Sequence, residues 1–267
     1  MTLGSSPKVG VVLKVSSEHL DWHKTVEEYR DAKANLVRYQ KPFDCCVYMQ
    51  DALPTSEIAE NSAAQKFPFG SGENAVAKIE GDSLKIGTVS LHLSECKVRG
   101  IYQLENMAAA ALATLAIGVD IHVIFEALKT YEALPLRMEF RGEKNGIEFF
   151  NDSYATRPDA TLAAVQSMKR PFALILGGSE KNELALIEKL KSIAFIGATA
   201  ERMFKQATEM NVKAKMEIFN SLEEAFNNSL SIGEGGAILL SPACASFGLF
   251  KNYKHRGEVF KEYVLSK

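Results

Sequence analysis

Residues 171–197 read PFALILGGSEKNELALIEKLKSIAFIG and contain one complete strand–helix–strand unit. The unit opens on an apolar run, Phe172–Leu176, which has the length of a strand and is followed at once by two glycines. The spacing of apolar residues predicts a helix over Glu183–Ile193 and a short strand over Ala194–Ile196. This order of elements is the repeating unit of a parallel sheet that is covered by helices.

The same alternation continues on both sides of this unit. Glu139–Phe150 reads as a hairpin that turns on Asn145-Gly146, a strong signal for a two-residue turn. A final helix is predicted from about Leu249 to Leu265. The pattern therefore predicts a Rossmann-like sheet. The elements between the hairpin and the final helix are predicted at Pro158–Met168, Ala200–Met210, Lys215–Phe219, Leu222–Leu230 and Ala237–Leu240.

The first half of the chain has a different rhythm, so two α/β domains are predicted, 1–133 and 134–267. Val9–Val15 is a β-branched run typical of a buried strand, and Pro54–Asn74 reads as irregular because it contains Pro, Gly and Ser. The remaining predictions are a helix over Thr25–Tyr39, a strand over Asp44–Met49, antiparallel strands within 75–93, and helices over Gln103–Ile117 and His122–Thr130.

Composition excludes several classes of protein. Of the 267 residues, 46% are apolar and 24% charged, which is ordinary for a globular chain and excludes intrinsic disorder. A net charge of −2 gives no indication of a nucleic-acid partner. No apolar run approaches the roughly 18–20 residues of a membrane span, and no signal peptide is recognisable. Four cysteines without a CxxC spacing argue against a zinc site. A cytoplasmic location is expected.

Three loops in the second half follow predicted strands and carry groups that bind anions. They are Asn151–Thr156, Gly177–Lys181 and Ser241–Ser246. In open α/β sheets, ligands bind beyond the carboxyl ends of the strands, so these loops predict a site for an anionic substrate. Each loop also has a purely structural interpretation, as a helix cap, a glycine turn and a tightly packed turn, respectively.

The first half offers groups of a different kind. The acidic and imidazole side chains of Glu18–His23 follow the first predicted strand, where they suit Mg²⁺ or phosphate, although His is an unusual ligand for Mg²⁺. Structural histidines and a solvated Lys33 are the alternative interpretation. No GxxxxGK[ST] phosphate-binding loop occurs in the sequence.

Taken together, these segments resemble the Mur ligases, and the last third of the chain is most similar to the members that add D-glutamate. The resemblance covers essentially the whole chain. The segments that carry it are SPKVGVVLKVSSEHLDWH (6–23), EEYRDAK (27–33), GIYQLENMAAAALA (100–113), LPLRMEF (134–140), FFNDSYATRPDAT (149–161), LILGGSEK (174–181) and LLSPACASFGLFKNYKHRGEVF (239–260).

The resemblance implies the remainder of a central ATP-binding domain followed by a Rossmann-like C-terminal domain that binds an amino acid. It implies an ADP-forming ligase that uses ATP and Mg²⁺ to join D-glutamate to UDP-MurNAc-L-alanine during peptidoglycan precursor synthesis. The roles that it implies are metal binding for His19 and for Lys33 as a carbamate, ATP binding for Asn106, Arg137 and Asp152, and D-glutamate binding for Thr156, Lys181, Ser246 and Tyr253.

The sequence departs from the family pattern at four positions and in extent. Tyr102 and Gln103 stand where His and Asn are usual, Leu136 replaces a His, and Tyr154 replaces a Lys. The UDP-binding domain and the phosphate-binding loop are not recognisable, so we expect a C-terminal part of a ligase that is inactive without a separate N-terminal half. Two alternatives stay open: a non-catalytic substrate-binding module, and an amide ligase for another amino acid.

Overall fold

The computed structural model describes residues 4–15, 25–177 and 188–266. The chain divides into two compact units, Met1–Glu132 and Ala133–Lys267. Each unit is built around a six-stranded sheet with helices, which confirms the predicted α/β class.

The first unit has a sheet in which four parallel strands are extended by an antiparallel meander. The strands follow one another along the sheet in chain order, and the chain reverses at Gly81 and Gly87, both with positive φ. Its strands are β1 (Val9–Val12), β2 (Cys45–Met49), β3 (Gln65–Gly70), β4 (Ala77–Glu80), β5 (Ser83–Ile86) and β6 (Val89–His92), and its helices are α1 (Val26–Ala34), α2 (Leu53–Glu60), α3 (Tyr102–Leu115) and α4 (Ile121–Thr130).

Two predictions for this unit are wrong. The segment Pro54–Asn74, predicted to be irregular, contains α2 and β3. Pro54 occupies the start of α2, where its missing N–H removes no helical hydrogen bond. Helix α1 begins after the Thr25 cap as expected, but it ends at Ala34 rather than Tyr39. Tighter bonds such as Val37 N to Ala34 O (3.1 Å) then turn Val37 into the core.

The second unit has a nearly parallel sheet, and only its hairpin strand runs the other way. The hairpin turns on Asn145 and Gly146, both with positive φ, as predicted. Its strands are β7 (Glu139–Lys144), β8 (Ile147–Asn151), β9 (Phe172–Gly177), β10 (Leu190–Ile196), β11 (Lys215–Phe219) and β12 (Ala237–Ala243), and its helices are α5 (Pro158–Gln166), α6 (Ala200–Glu209), α7 (Leu222–Ser229) and α8 (Tyr253–Ser266). Along the sheet the strands lie in the order β11-β10-β9-β12-β8-β7.

The predicted helix Glu183–Ile193 is wrong over its last residues. Residues 190–193 belong to β10, which pairs with β9 on one side and β11 on the other, whereas residues 183–187 lie outside the described residues. The apolar residues of a short segment fit either period, and pairing with two neighbouring strands decides between them. The last helix begins at Tyr253, four residues later than predicted.

One hydrophobic cluster of the second unit lies on the face of the sheet covered by α7 and α8. Phe226 of α7 is its central side chain, with ring centroids of Phe149, Phe260 and Tyr263 at 5.9, 5.6 and 5.7 Å. Strands β9 and β12 are buried along their whole length, which explains their continuous apolar sequences.

Candidate substrate-binding site

The three loops with anion-binding groups leave three neighbouring strands. Strand β12 lies between β8 and β9 and is parallel to both, so the three strands end at the same edge of the sheet. We call this edge, formed by the ends of β8, β12 and β9 at Asn151, Ala243 and Gly177, the carboxyl edge. Parallel sheets of this kind place ligands at such an edge.

Asp152 is the first residue after β8, and its carboxylate faces the protein interior. One oxygen, Oδ1, accepts a hydrogen bond from Met138 N (3.1 Å), and Oδ2 lies 2.7 Å from Ser241 Oγ. Ser241 Oγ in turn lies 2.9 Å from Thr161 Oγ1, which donates to Ser241 O (3.2 Å). The residue is 5% exposed. Both carboxylate oxygens are therefore engaged within the protein.

The pKa of Asp152 is raised to about 7, chiefly because burial disfavours the charged form. Hydrogen bonds from Ser241 and Met138 and the charge of Arg137 act in the opposite direction and only partly offset the burial. A protonated Asp152 can donate to Ser241 Oγ, whose own hydrogen is then free for Thr161. The hydroxyl chain is thus fully satisfied when the carboxyl is neutral.

Arg137 is exposed and lies over an aromatic pair. Its guanidinium carbon is 3.8 Å from the centroid of the Tyr154 ring, and Tyr154 meets Tyr253 edge to face at 4.6 Å. Burial and a hydrogen bond with Tyr154 raise the pKa of Tyr253. Arg137 and Tyr253, which were predicted to bind different substrates, are thus joined through Tyr154. The stacked guanidinium keeps donors available for an anion.

The backbone around Arg137 is held in an uncommon conformation. Leu136 and Met138 have φ values of 64° and 45°, and Ala243 at the end of β12 has 60°. Among the described residues, the other positive-φ positions that are not glycine are both asparagines, which tolerate this region well. Strain of this kind persists where surrounding contacts enforce it, and it often marks functional sites. All three strained residues lie in segments that contact the Asp152 network.

The remaining predicted glutamate contacts lie on the segments that follow β8 and β12. Thr156 is exposed and lies directly before α5, whose N-cap residue Arg157 makes no side-chain capping bond. The N-terminus of α5 offers backbone N–H groups and a positive dipole end as potential partners of an anion. Ser246 is 6% exposed and lies three residues beyond β12. Lys181 lies outside the described residues.

A buried arginine that the sequence analysis did not single out joins two of these loops. Arg256 is in the first turn of α8, where Nε donates to Ser153 Oγ (3.0 Å) and Nη2 donates to Ser153 O (2.9 Å) and Cys244 O (3.2 Å). Ser153 Oγ donates to Tyr253 O (2.8 Å), and Asn151 Nδ2 donates to Gly257 O (2.8 Å). The start of α8 is thus fixed against both loops.

Ser241 and Thr161, to which the sequence analysis gave no individual role, share a feature that is detectable in the sequence. Ser241 interrupts the apolar run of β12, and Thr161 lies on the buried face of α5. A hydroxyl among apolar neighbours must find a partner when it is buried, so each is a sign of an internal polar contact.

The residues predicted to bind metal lie in the first unit. Lys33 is exposed in the last turn of α1, with Nζ 5.2 Å from the centroid of the Tyr29 ring, and an ammonium group cannot ligate a cation. His19 lies outside the described residues. Across the described ranges, no three His, Cys, Asp or Glu side chains come together as a metal site. The described residues therefore do not by themselves form a Mg²⁺ site.

Asn106, the predicted nucleotide contact of the first unit, is exposed on α3. Its Nδ2 donates to Gln103 Oε1 (3.3 Å), one of the two residues that depart from the family motif. Of the three predicted nucleotide contacts, Asn106 and Arg137 are thus exposed, whereas Asp152 is turned inwards.

The chain matches two domain families of one class of enzyme. The Mur ligase middle domain matches residues 2–114, and the family described as Mur ligase, glutamate ligase domain matches residues 136–244. The chain therefore belongs to the Mur ligase family, as its sequence predicted.

Curated relatives are similar over nearly the whole of this chain. A UDP-N-acetylmuramoylalanine–D-glutamate ligase of Clostridium kluyveri is 36% identical over 278 residues, covering 99% of this chain and 60% of its own length. The ligase of the same name from Caldanaerobacter subterraneus subsp. tengcongensis is 33% identical over 271 residues, covering 97% and 60%. The chain thus spans about 60% of the length of these relatives.

Solved Mur ligase structures share the fold. MurF of Acinetobacter baumannii aligns with a TM-score of 0.75 and 19% identity over 98% of this chain and 60% of its own. UDP-N-acetylmuramate-alanine ligase MurC of Thermotoga maritima aligns with a TM-score of 0.73 and 16% identity over 98% of this chain and 61% of its own.

Within the described residues, no helix combines the length and the apolar character that crossing a bilayer requires.

Proposed function

We propose that the chain forms part of a cytoplasmic, ADP-forming ligase that joins D-glutamate to UDP-MurNAc-L-alanine for peptidoglycan synthesis. One observation carries the proposal: three neighbouring parallel strands, each followed in sequence by a segment rich in anion-binding groups, end together at the carboxyl edge. The relatives at 33% and 36% identity, which are UDP-N-acetylmuramoylalanine–D-glutamate ligases, support it. D-glutamate carries two carboxylates, so it suits a site with several separate donors.

In the proposed reaction, ATP transfers its γ-phosphoryl group to the carboxylate of UDP-MurNAc-L-alanine and leaves as ADP. The amine of D-glutamate then attacks the acyl phosphate, and the amide forms as inorganic phosphate leaves and the amine loses a proton. The work of the protein is then positioning and electrostatic stabilisation. Arg137 offers an exposed guanidinium to an anionic group, and Ser246, Lys181 and the N-terminus of α5 offer donors to the carboxylates of D-glutamate. Thr156 lies in the segment after β8, and Tyr253 is the first residue of α8.

ATP and Mg²⁺ belong to the proposal for the complete ligase, together with His19, Lys33 and Asn106. The described residues do not by themselves form a site for the metal. The sequence contains no GxxxxGK[ST] motif to hold the β- and γ-phosphates. We therefore expect the 267-residue chain alone to release no ADP, and a separate N-terminal half is the partner that would complete it.

The test combines binding and turnover. The labelled 267-residue chain is titrated with D-glutamate, L-glutamate and D-aspartate by NMR, and saturable binding that prefers D-glutamate is expected. The N-terminal part of the Clostridium kluyveri relative is then added with ATP and UDP-MurNAc-L-alanine, and D-glutamate-dependent ADP release is measured. Preference for another amino acid would overturn the assigned substrate.

The inward-facing carboxylate of Asp152 favours a second candidate, a substrate-binding module without ligase activity. Both oxygens of Asp152 are engaged within the protein, and Gln103 replaces the usual Asn. A module of this kind would bind D-glutamate but would give no ADP release after addition of the N-terminal part. The turnover measurement therefore separates the two candidates.

Replacing Ser246 or Lys181 by alanine should weaken D-glutamate binding by roughly ten- to more than 100-fold, because each change removes a contact to a carboxylate worth about 1.5–3 kcal/mol. The dissociation constant of the 267-residue chain is measured by NMR titration. Matched controls are Ser229→Ala, a buried serine of α7, and Lys191→Ala, an exposed lysine of β10. Parental affinity in both test variants would show that these side chains do not contact the ligand.

A further inference from the structure

We propose that Arg256 is the positioning residue of the amino-acid site, because its buried guanidinium ties the loop after β8 to the loop after β12. The inference rests on the proposed function, since it assigns Arg256 to the site for D-glutamate. Thr156 lies three residues beyond Ser153, and Ser246 lies two residues beyond Cys244. Fixing Ser153 and Cys244 to one planar group therefore fixes the separation of the two donors.

The geometry of Arg256 suits this role. Its side chain is 2% exposed, and it makes three hydrogen bonds, two to Ser153 and one to Cys244. The two loops are more than 80 residues apart in sequence, and only the pairing of β8 with β12 brings their strands together. A guanidinium holds its donors in a rigid plane, so contact with both loops sets their relative position.

The acceptors of Arg256 are all neutral. They are the hydroxyl and carbonyl oxygens of Ser153 and the carbonyl of Cys244, with the Cys244 thiol beside them, and no ion pair joins Arg256 to a carboxylate among the described residues. A buried charge without a counter-ion is costly. Its positive charge at the carboxyl edge favours a bound anion, so the same residue both positions the loops and attracts the ligand.

The two loops are also joined through Asp152, the residue before Ser153 in the sequence. There Asp152 contacts Ser241 at 2.7 Å, and the hydroxyl chain continues to Thr161 of α5. Arg256 adds the contact that lies closer to the donors, because Ser153 and Cys244 are each further along their loops than Asp152 and Ser241. We therefore expect loss of Arg256 to release the outer parts of both loops while the strand ends stay joined.

The experiment uses the full 267-residue chain and three variants, Arg256→Lys, Arg256→Met and Ser153→Ala. Lysine keeps the charge but lacks the planar set of guanidinium donors, so Arg256→Lys should bind D-glutamate roughly tenfold more weakly. Arg256→Met removes both, so its affinity for D-glutamate should fall about 100-fold. Ser153→Ala removes one acceptor and tests the contact should Arg256→Met not fold. Arg170→Lys is the matched control, because Arg170 lies before β9 at the other end of the strand and pairs with Glu143 (3.3 Å).

A second measurement separates positioning from general stability. Hydrogen exchange of the ligand-free chain should become faster in Arg256→Lys at 153–157 and at 244–248 together, with the strand amides of β8 and β12 unchanged. A merely structural arginine would lower the free energy of unfolding but leave the D-glutamate dissociation constant of the folded chain unchanged.

The outcomes are distinguishable. If the parent chain binds none of the tested amino acids, the proposed function is wrong and the role of Arg256 falls with it. If the parent binds D-glutamate and both Arg256→Lys and Ser153→Ala bind it equally well, the proposed function stands and the positioning role is wrong. Weaker binding in both variants, with parental binding in Arg170→Lys, supports the inference.

Discussion

Replacing Phe226 by alanine should lower the free energy of unfolding of the second unit by about 3–5 kcal/mol. The side chain is 1% exposed and meets three other aromatic rings within 6 Å, so its removal leaves a cavity that the sheet and α8 cannot easily fill. The lost contacts include those to Phe260 and Tyr263, which pack α8 against α7. Arg256 also lies on α8, so the site should loosen together with the core.

Because the chain has two compact units, the measurement must report on one of them. Urea unfolding is monitored by hydrogen exchange in peptides from Ala133–Lys267, which reports the free energy of unfolding of the second unit alone. Phe247→Ala is the matched control, since Phe247 is 77% exposed and its loss should change stability by less than about 0.5 kcal/mol. A loss below about 1 kcal/mol in Phe226→Ala would show that the aromatic cluster does not stabilise the unit.

Much of the second unit could be predicted because its signals are local. A strand buried on both faces needs a continuous apolar run, and Phe172–Leu176 and Ala237–Leu240 supply one each. The Asn145-Gly146 turn requires two positive φ values, which this pair adopts at low cost. Where the signal was ambiguous, as at residues 190–193, pairing with two distant strands decided the structure.

The candidate site was predictable only in part, for the same reason. Glycine and hydroxyl residues after predicted strands identified the loops. That these loops follow adjacent strands depends on the strand order β9-β12-β8, which no local sequence pattern specifies. The contacts of Arg256 with Ser153 span 103 residues, and that of Asn151 with Gly257 spans 106. Periodicity carries no information at that distance, so Arg256 could not be recognised from the sequence.

Asp152 shows what a family pattern does and does not predict. The resemblance identifies the residue by its place after β8, and its nucleotide contact remains a proposal. The orientation of its carboxylate depends on Met138 and Ser241, which come from other segments. Binding through Asp152 would require these hydrogen bonds to be exchanged for bonds to the ligand.

Between pH 5 and pH 8, ionisation of Asp152 should lower the free energy of unfolding of the parent by about 3 kcal/mol, and replacing Asp152 by asparagine should abolish this loss. The pKa of Asp152 is about 7 in the folded chain and near its ordinary value of 3.8 when unfolded. The folded state therefore holds its proton more tightly, and the resulting stability is complete below the unfolded pKa. It declines as the pH rises and is lost once the pH has passed the folded value.

Asparagine is the informative substitution because it keeps the hydrogen bonds of the neutral acid. Its Oδ1 can still accept from Met138 N, and its Nδ2 can donate to Ser241 Oγ as a protonated Asp152 would. The variant should thus match the parent only below the unfolded pKa of 3.8 and exceed it in stability above that pH, by a margin that grows between pH 5 and pH 8. The difference between variant and parent isolates Asp152, since every other titrating group is common to both.

The measurement is urea unfolding of the parent and Asp152→Asn at several pH values, again monitored by hydrogen exchange in peptides from the second unit. Asp159→Asn serves as the matched control, because Asp159 is an exposed carboxylate in the first turn of α5 and this variant leaves Asp152 intact. It should keep the parental loss of stability towards pH 8. A parent whose stability does not fall relative to Asp152→Asn between pH 5 and pH 8 would mean that Asp152 ionises without cost, so that its carboxylate reaches water and is free to meet a ligand.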